Sequence, residues 1–292
     1  MAALAEQAQP SSQKPNEKGR EFQPPFVPID GLNNFRDIGG WPISSPSRPN
    51  SKVRSGILYR GPDLGPITDR GAQQMKDIGV EVIFDIRSVP QIVRAGGVKE
   101  LEGIQRVWCP VFQESDYTPE KAGARYTQYS SEGTDGIVQA FEDILANGAT
   151  TAFRPILLHL ASLPNAPRPP AAMIHCTTGN NRSGVFVGTL LSLLGVPTSS
   201  ITAEYALSEI GLRAGRDEVV ERLMKNPKFR DSIGDGEQGR RRAMRMVGAR
   251  EESMRAMLEM LQRRWGGAEG YMRDSVGLHD EEIERVKKVL TT

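Results

Sequence analysis

His175-Cys176-Thr177-Thr178-Gly179-Asn180-Asn181-Arg182-Ser183-Gly184 sets one cysteine six residues before one arginine, with a glycine between them and a hydroxyl residue directly after. Its flanks decide the fold. Ala171-Ala172-Met173-Ile174 upstream is a short apolar run of buried-strand type, and Val185 to Leu194 downstream is apolar, of helical length, and closed by Gly195 and Pro197. The residues between them therefore form a loop from a strand end to a helix start. Backbone N–H groups of such a loop converge and the helix dipole adds positive potential, so an anion the size of phosphate suits the amides of Thr177, Thr178, Gly179, Asn180, Asn181 and Arg182. The Arg182 guanidinium would complete the cradle with two parallel hydrogen bonds. The same field favours the thiolate of Cys176, because an ordinary free thiol titrates only near pH ~8.5. A thiolate in that position is a nucleophile aimed at the bound anion. Ser183 is placed to hydrogen-bond the sulfur. His175 reads as a support for the loop, because a thiolate needs no base.

The loop does not stand alone. Asn34-Phe35-Arg36-Asp37-Ile38-Gly39-Gly40, Val53-Arg54-Ser55-Gly56-Ile57-Leu58-Tyr59-Arg60-Gly61 and Phe84-Asp85-Ile86-Arg87-Ser88 precede it. Arg264-Trp265-Gly266-Gly267-Ala268-Glu269-Gly270-Tyr271-Met272 and Gly277-Leu278-His279-Asp280-Glu281-Glu282-Ile283 follow it. Together these stretches resemble the tyrosine/serine protein phosphatase family, which includes secreted bacterial tyrosine and phosphoinositide phosphatases and many fungal proteins. The resemblance runs from about residue 26 to the C-terminus. It implies a dual-specificity-like α/β fold and hydrolysis of phosphomonoesters through a phosphocysteine intermediate.

The chain departs from that family in one important place. The family loop usually reads H-C-x-A-G-K-D-R-T-G, whereas Thr178, Asn180, Asn181 and Ser183 stand here at the A, K, D and T positions. Ser183 keeps the hydroxyl. Asn180 lacks the lysine cation that would favour highly charged substrates, and Asn181 lacks the carboxylate assigned as general acid in the family. An amide has no such proton to give, so an acid must come from elsewhere. Asp85, at the end of a strand over Val80–Phe84, is one candidate, because loops at strand carboxyl ends reach the sites of α/β sheets. Asp116, after a strand around Val107 and Trp108, is a second. The competing reading of Asp85 is a structural ion pair with Arg87 or Arg36, and that of Asp116 is a solvated loop carboxylate. Arg36 and Asp37 are expected as supporting residues, buttressing the loop or contacting substrate; a local turn is the alternative. Arg60 is similar.

Composition narrows the rest. At 292 residues the chain suits a phosphatase-like catalytic domain over 26–292 behind a disordered tail of residues 1–25, which is rich in Gln, Pro, Ser, Lys and Glu. That segment lacks the apolar core of a secretory signal, and the longest apolar run is too short to span a bilayer, so a cytoplasmic, soluble protein is expected. A formal net charge of +1 gives no global field for nucleic acid. Arg240, Arg241, Arg242 and Arg245 read as a solvated helix face. Two cysteines cannot make a disulfide framework, and Cys109 reads as core. With three histidines in no metal-ligand spacing, neither metal nor cofactor is expected.

The coarse pattern is α/β: a cysteine-phosphatase-like central sheet flanked by helices, with additional helices in the C-terminal third. Thr68 is expected to cap a helix running to Asp77, and two helices to fill 119–147 and 149–162. Met254, Met257, Leu258, Leu261 and Trp265 repeat at helical spacing and read as a packing stripe. Three functions stay open: a protein-tyrosine-type phosphatase acting on a phosphorylated protein, a phosphatase for a small metabolite or phosphoinositide, and a phosphate-binding module with little turnover.

Overall fold

The computed structural model describes residues 25–44 and 50–292. The expected tail falls outside the described residues up to residue 24. A five-stranded sheet organises the chain: β1 (Arg36–Asp37), β2 (Leu58–Gly61), β3 (Val80–Asp85), β4 (Gln105–Trp108) and β5 (Ala171–His175), in the spatial order β1-β2-β5-β3-β4. β1 runs antiparallel to β2, and the other pairings are parallel.

β5 lies at the centre, and all five of its residues are buried. That is why it reads as an unbroken apolar run, since a parallel strand covered on both faces has no solvent side to mark. Alternate residues serve opposite faces. Ala171 and Met173 pack with Ile29, Leu32, Phe35 and Met75, whereas Ala172 and Ile174 pack with Phe141, Phe153, Phe186 and Leu190.

The first face is covered by the N-terminal segment and by α1 (Asp69–Asp77). The Thr68 side chain accepts from Gly71 N–H at 3.0 Å, and Gly79 turns the chain at φ +84° into β3. α2 (Val89–Arg94) follows β3, and a short 3-10 turn, Glu114–Tyr117, follows β4. The segment expected as one helix over 119–147 is two: α3 (Pro119–Ser130) and α4 (Asp135–Gly148). Gly133, at φ +69°, folds the chain back between them and lets α3 pack on α4. The following boundary is smoother than expected. Pro155 has no N–H for the preceding turn, and α4 passes through one wide π turn, Ala149–Phe153, into α5 (Arg154–Ser162).

α6 (Asn181–Leu193) leaves the loop and is buried along nearly its whole length. α7 (Thr198–Gly211) and α11 (Glu251–Trp265) pack against it. On α11 the stripe Met254, Met257, Leu258 and Leu261 is buried, and left-handed Gly266 ends the helix. Between α7 and α11 come α8 (Arg216–Met224), α9 (Pro227–Ile233) and α10 (Gly236–Val247). Val220, Phe229, Ile233 and Ala243 give these three helices a small core of their own, closed by Tyr126 of α3. The basic run on α10 is only partly a solvated face. Arg240 pairs with Glu221, while Arg242 and Arg245 donate to the carbonyls of Ile233, Ser131 and Gly133 and so anchor the helix. α12 (Ala268–Tyr271) and α13 (Asp280–Leu290) complete the chain, with α13 against α5. No helix among the described residues is long and apolar enough to cross a membrane.

Candidate active site

The loop from Cys176 to Asn180 joins β5 to α6, as its flanks require. Gly179 is there for a steric reason. Its φ is +71°, and a Cβ would lie 2.4 Å from the Gly61 carbonyl oxygen at the end of neighbouring β2. Only glycine allows the loop to lie that close to the strand.

Buried charges hold the loop from below. Arg60 of β2 donates to the carbonyls of Gly179 and Asn180 at 2.7 and 2.9 Å. Its other nitrogen meets Glu204 of α7 at 2.6 Å, and Glu204 also binds Arg36 at 2.8 Å. All three side chains are essentially without solvent exposure. Arg36 also donates to Asn34, whose amide donates to the Thr178 carbonyl at 3.0 Å. Arg36 therefore buttresses the loop and reaches no substrate position. Asp37 does neither. Its carboxylate accepts from the N–H groups of Gly39 and Gly56, which is the local turn. Burial raises the Asp37 carboxyl above its ordinary value, against those two hydrogen bonds.

Cys176 is 2% exposed. Burial alone would push its thiol up. The Arg182 charge, the Ser183 hydroxyl and the N–H groups of Ser183 and Thr178 outweigh burial and hold it below the ordinary thiol value. The Ser183 oxygen is buried beside the sulfur with no oxygen or nitrogen partner among the described residues, and the Thr177 hydroxyl and Asn180 amide oxygen are likewise buried without one there. Cys109 is a contrast: burial pushes it up to about 12, a neutral core thiol. His175 donates through Nδ1 to the Cys176 carbonyl at 3.2 Å, and burial holds it below its ordinary value as a neutral support.

The two expected acids do not fit that role. Asp85 is fully buried, and its oxygens accept from Arg87 at 2.9 and 2.8 Å and from Arg106 at 2.8 Å. Burial would raise it, but the Arg87 and Arg106 guanidinium groups hold it well below the usual carboxylate range. A carboxyl kept ionised in that way has no proton to donate, so Asp85 is a structural ion-pair centre. Asp116 does not line the cleft above the loop. It pairs with Lys121 at 2.9 Å and accepts from the Gln113 N–H at 2.9 Å. Burial raises its carboxyl, and Lys121 and the Gln113 N–H together bring it below its ordinary value.

Above the loop the cleft has two lobes that share Gln91, Thr178, Asn181, Arg182, Leu223 and Met246. One, of about 400 Å³, holds Cys176 with Phe112, Tyr117, Tyr126 and Tyr129. Arg125 stacks over Phe112 and Tyr117 at 4.2 and 4.9 Å from the ring centres. The other, of about 440 Å³, is lined by Pro62, Asp63, Thr177, Arg216 and Arg222 among others. Arg182 donates to Gln91 Oε1, which also accepts from the Ser88 N–H and caps α2. Asn181 Oδ1 accepts from the Tyr205 hydroxyl at 2.9 Å.

Gln91, Asp63 and Glu204 were not singled out in the sequence. A signal existed for the first two. Ser88-Val89-Pro90-Gln91 is a helix-capping pattern directly after the Asp85 strand, and Asp63 follows the carboxyl end of the strand beside β5. Glu204 lies inside an ordinary helical stretch and carried none.

A largely parallel sheet thus runs its central strand into a cysteine–arginine loop under a cleft. The chain belongs to the tyrosine phosphatase family, whose family model matches residues 27–292. A tyrosine-protein phosphatase of Nostoc commune is 26% identical over 255 residues, 83% of this chain and 77% of its own length. The triple specificity protein phosphatase PtpB of Mycobacterium tuberculosis is 23% identical over 289 residues, 90% of this chain and 98% of its own. The crystal structure of P. aeruginosa TpbA aligns with 74% of this chain and 96% of its own at 14% identity and a TM-score of 0.25, a likeness too loose to bear on the site.

Proposed function

We propose that this phosphatase hydrolyses phosphomonoesters through a phosphocysteine intermediate on Cys176, and that its substrates are aryl phosphates of the phosphotyrosine type on proteins. The observation that carries this reading is the Cys176 thiol, buried at the foot of the cleft and held toward its thiolate by Arg182 and Ser183. The thiolate attacks phosphorus opposite the leaving oxygen, and the P–O bond breaks. Arg182 and the loop amides balance charge on the three remaining oxygens. Water then attacks the phosphocysteine, and the Ser183 hydroxyl eases departure of the sulfur. Residues 26–292 act as one catalytic unit in this scheme. The chemistry also favours a reducing, cytoplasmic setting, because oxidation of Cys176 removes the nucleophile.

The aromatic lobe supports the substrate class. Phe112, Tyr117, Tyr126 and Tyr129 offer ring faces and edges beside the sulfur, which suit a flat aryl group. The neighbouring lobe favours a second reading, a small metabolite or phosphoinositide with a further anionic group, because Arg216 and Arg222 line it.

The test is phosphate release from an aryl phosphate, with reductant present and Cys176→Ser in parallel. Release that depends on Cys176 is expected. Equal release by the serine variant overturns the mechanism. Oxyanion binding without release by the wild type makes the loop a binding module. A panel of phosphotyrosyl peptides, phosphoinositides and metabolite phosphates then ranks the substrate classes.

A further inference from the structure

Asn181 has no proton to give, Asp85 is locked in ion pairs and Asp116 faces Lys121. The leaving oxygen still needs a donor unless it is strongly activated. Among the residues that line the two lobes there is one carboxylate, Asp63.

Asp63 stands two residues beyond β2, on the loop to α1. β2 runs parallel to β5, so the carboxyl ends of the two strands lie side by side. The contact is direct, because the Asp63 N–H donates to the Thr177 carbonyl at 3.2 Å. The Asp63 backbone is thereby held beside the residue that follows Cys176. Its Oδ1 accepts from the Gly65 N–H at 3.1 Å and lies 3.8 Å from Arg87. Its Oδ2 carries no hydrogen bond among the described residues, and the side chain is 18% exposed, open to the cleft.

We propose that Asp63 is the general acid of the first step and the general base of the second; this rests on the phosphocysteine reading above. In the first step sulfur bonds to phosphorus, and the P–O electron pair goes to the leaving oxygen. The Asp63 proton passes to that oxygen and leaves a carboxylate. In the second step the carboxylate takes a proton from water as the water oxygen bonds to phosphorus. The P–S pair returns to Cys176 as thiolate, and Asp63 is again protonated. The arrangement places the acid on the β2–α1 connection, away from the cysteine loop.

The experiment compares Asp63→Asn with wild type on phenyl phosphate, a poor leaving group, and 2,4-dinitrophenyl phosphate, a good one. The quantity is kcat/KM, which covers the steps up to phosphocysteine. The expected result is a loss of roughly a hundredfold or more on phenyl phosphate with little change on the dinitrophenyl ester. The ratio between the esters does not depend on how much of the variant is folded. An equal loss on both esters, or no loss on phenyl phosphate, overturns the role of Asp63 while leaving the phosphocysteine reading intact. Absence of Cys176-dependent release in the wild type overturns both.

Discussion

Tyr205 donates its hydroxyl to Asn181 Oδ1 at 2.9 Å, so the amide oxygen is committed to α7 and the Nδ2 hydrogens are left for the cleft that Asn181 lines. The residue at the position of the family's acid is thus a neutral donor suited to an anionic substrate. Asn181→Asp keeps the acceptor for Tyr205 but adds a negative charge beside the phosphate. We expect KM for aryl phosphates to rise about tenfold, with no gain on alkyl phosphates. A gain on alkyl phosphates would show that no other residue supplies the proton.

The state of Cys176 can be read from its alkylation. Because its thiol is held below the ordinary value, the iodoacetamide rate should stay on its plateau as pH falls below ~8.5, where a free thiol becomes protonated. Arg182→Ala removes the largest charge opposing burial, so its midpoint should move up. Mass spectrometry should locate the label on Cys176 and leave Cys109 unlabelled.

Gln91 holds Arg182 with a neutral oxygen. Gln91→Glu would replace that contact with an ion pair and spend part of the Arg182 field locally. Vanadate, a stand-in for the phosphoryl group, should bind roughly tenfold more weakly, about 1.4 kcal/mol. The alkylation midpoint of Cys176 should rise at the same time. Unchanged values for both would mean that Gln91 serves only as a helix cap.

Glu204 is buried between two buried arginines, and removing it leaves both without their shared partner. Glu204→Ala should cost about 3–5 kcal/mol in urea unfolding and release the loop carbonyls that Arg60 holds. Burial raises the Glu204 carboxyl, but Arg36 and Arg60 bring it below its ordinary value. A group depressed in the folded state stabilises fully above its unfolded value of ~4.3 and loses that contribution as pH falls through its folded value. Asp85 acts in the same sense. The urea midpoint should therefore drop steeply in acid, and the drop should be shallower in Glu204→Gln.

Much of this architecture was legible before any coordinates. The apolar run Ala171–Ile174 reads as a buried strand, and Thr68 with Gly79 bounded α1 by local chemistry alone. The single helix expected over 119–147 was misread because Gly133 counts for little in a window average. Its positive φ nonetheless reverses the chain and creates the pairing of α3 with α4 that shapes the aromatic lobe. Asp85 was ambiguous for a different reason. A strand-end carboxylate looks alike whether its neighbours are solvent or guanidinium groups, and only the register of β3 with β4, which sets Ile83 opposite Arg106, brings the second arginine to it.

The sequence by itself determined the strand–loop–helix setting of the Cys176–Arg182 segment. That follows from short-range rules: a glycine where only φ > 0 fits, amides at a helix start, and an arginine at fixed spacing from a cysteine. Which carboxylates are structural and which one faces the cleft was decided by tertiary structure. Asp63, Asp85 and Glu204 are chemically similar groups far apart in the chain. Burial, the guanidinium groups that long-range packing delivers, and the side-by-side ends of β2 and β5 give each its own surroundings.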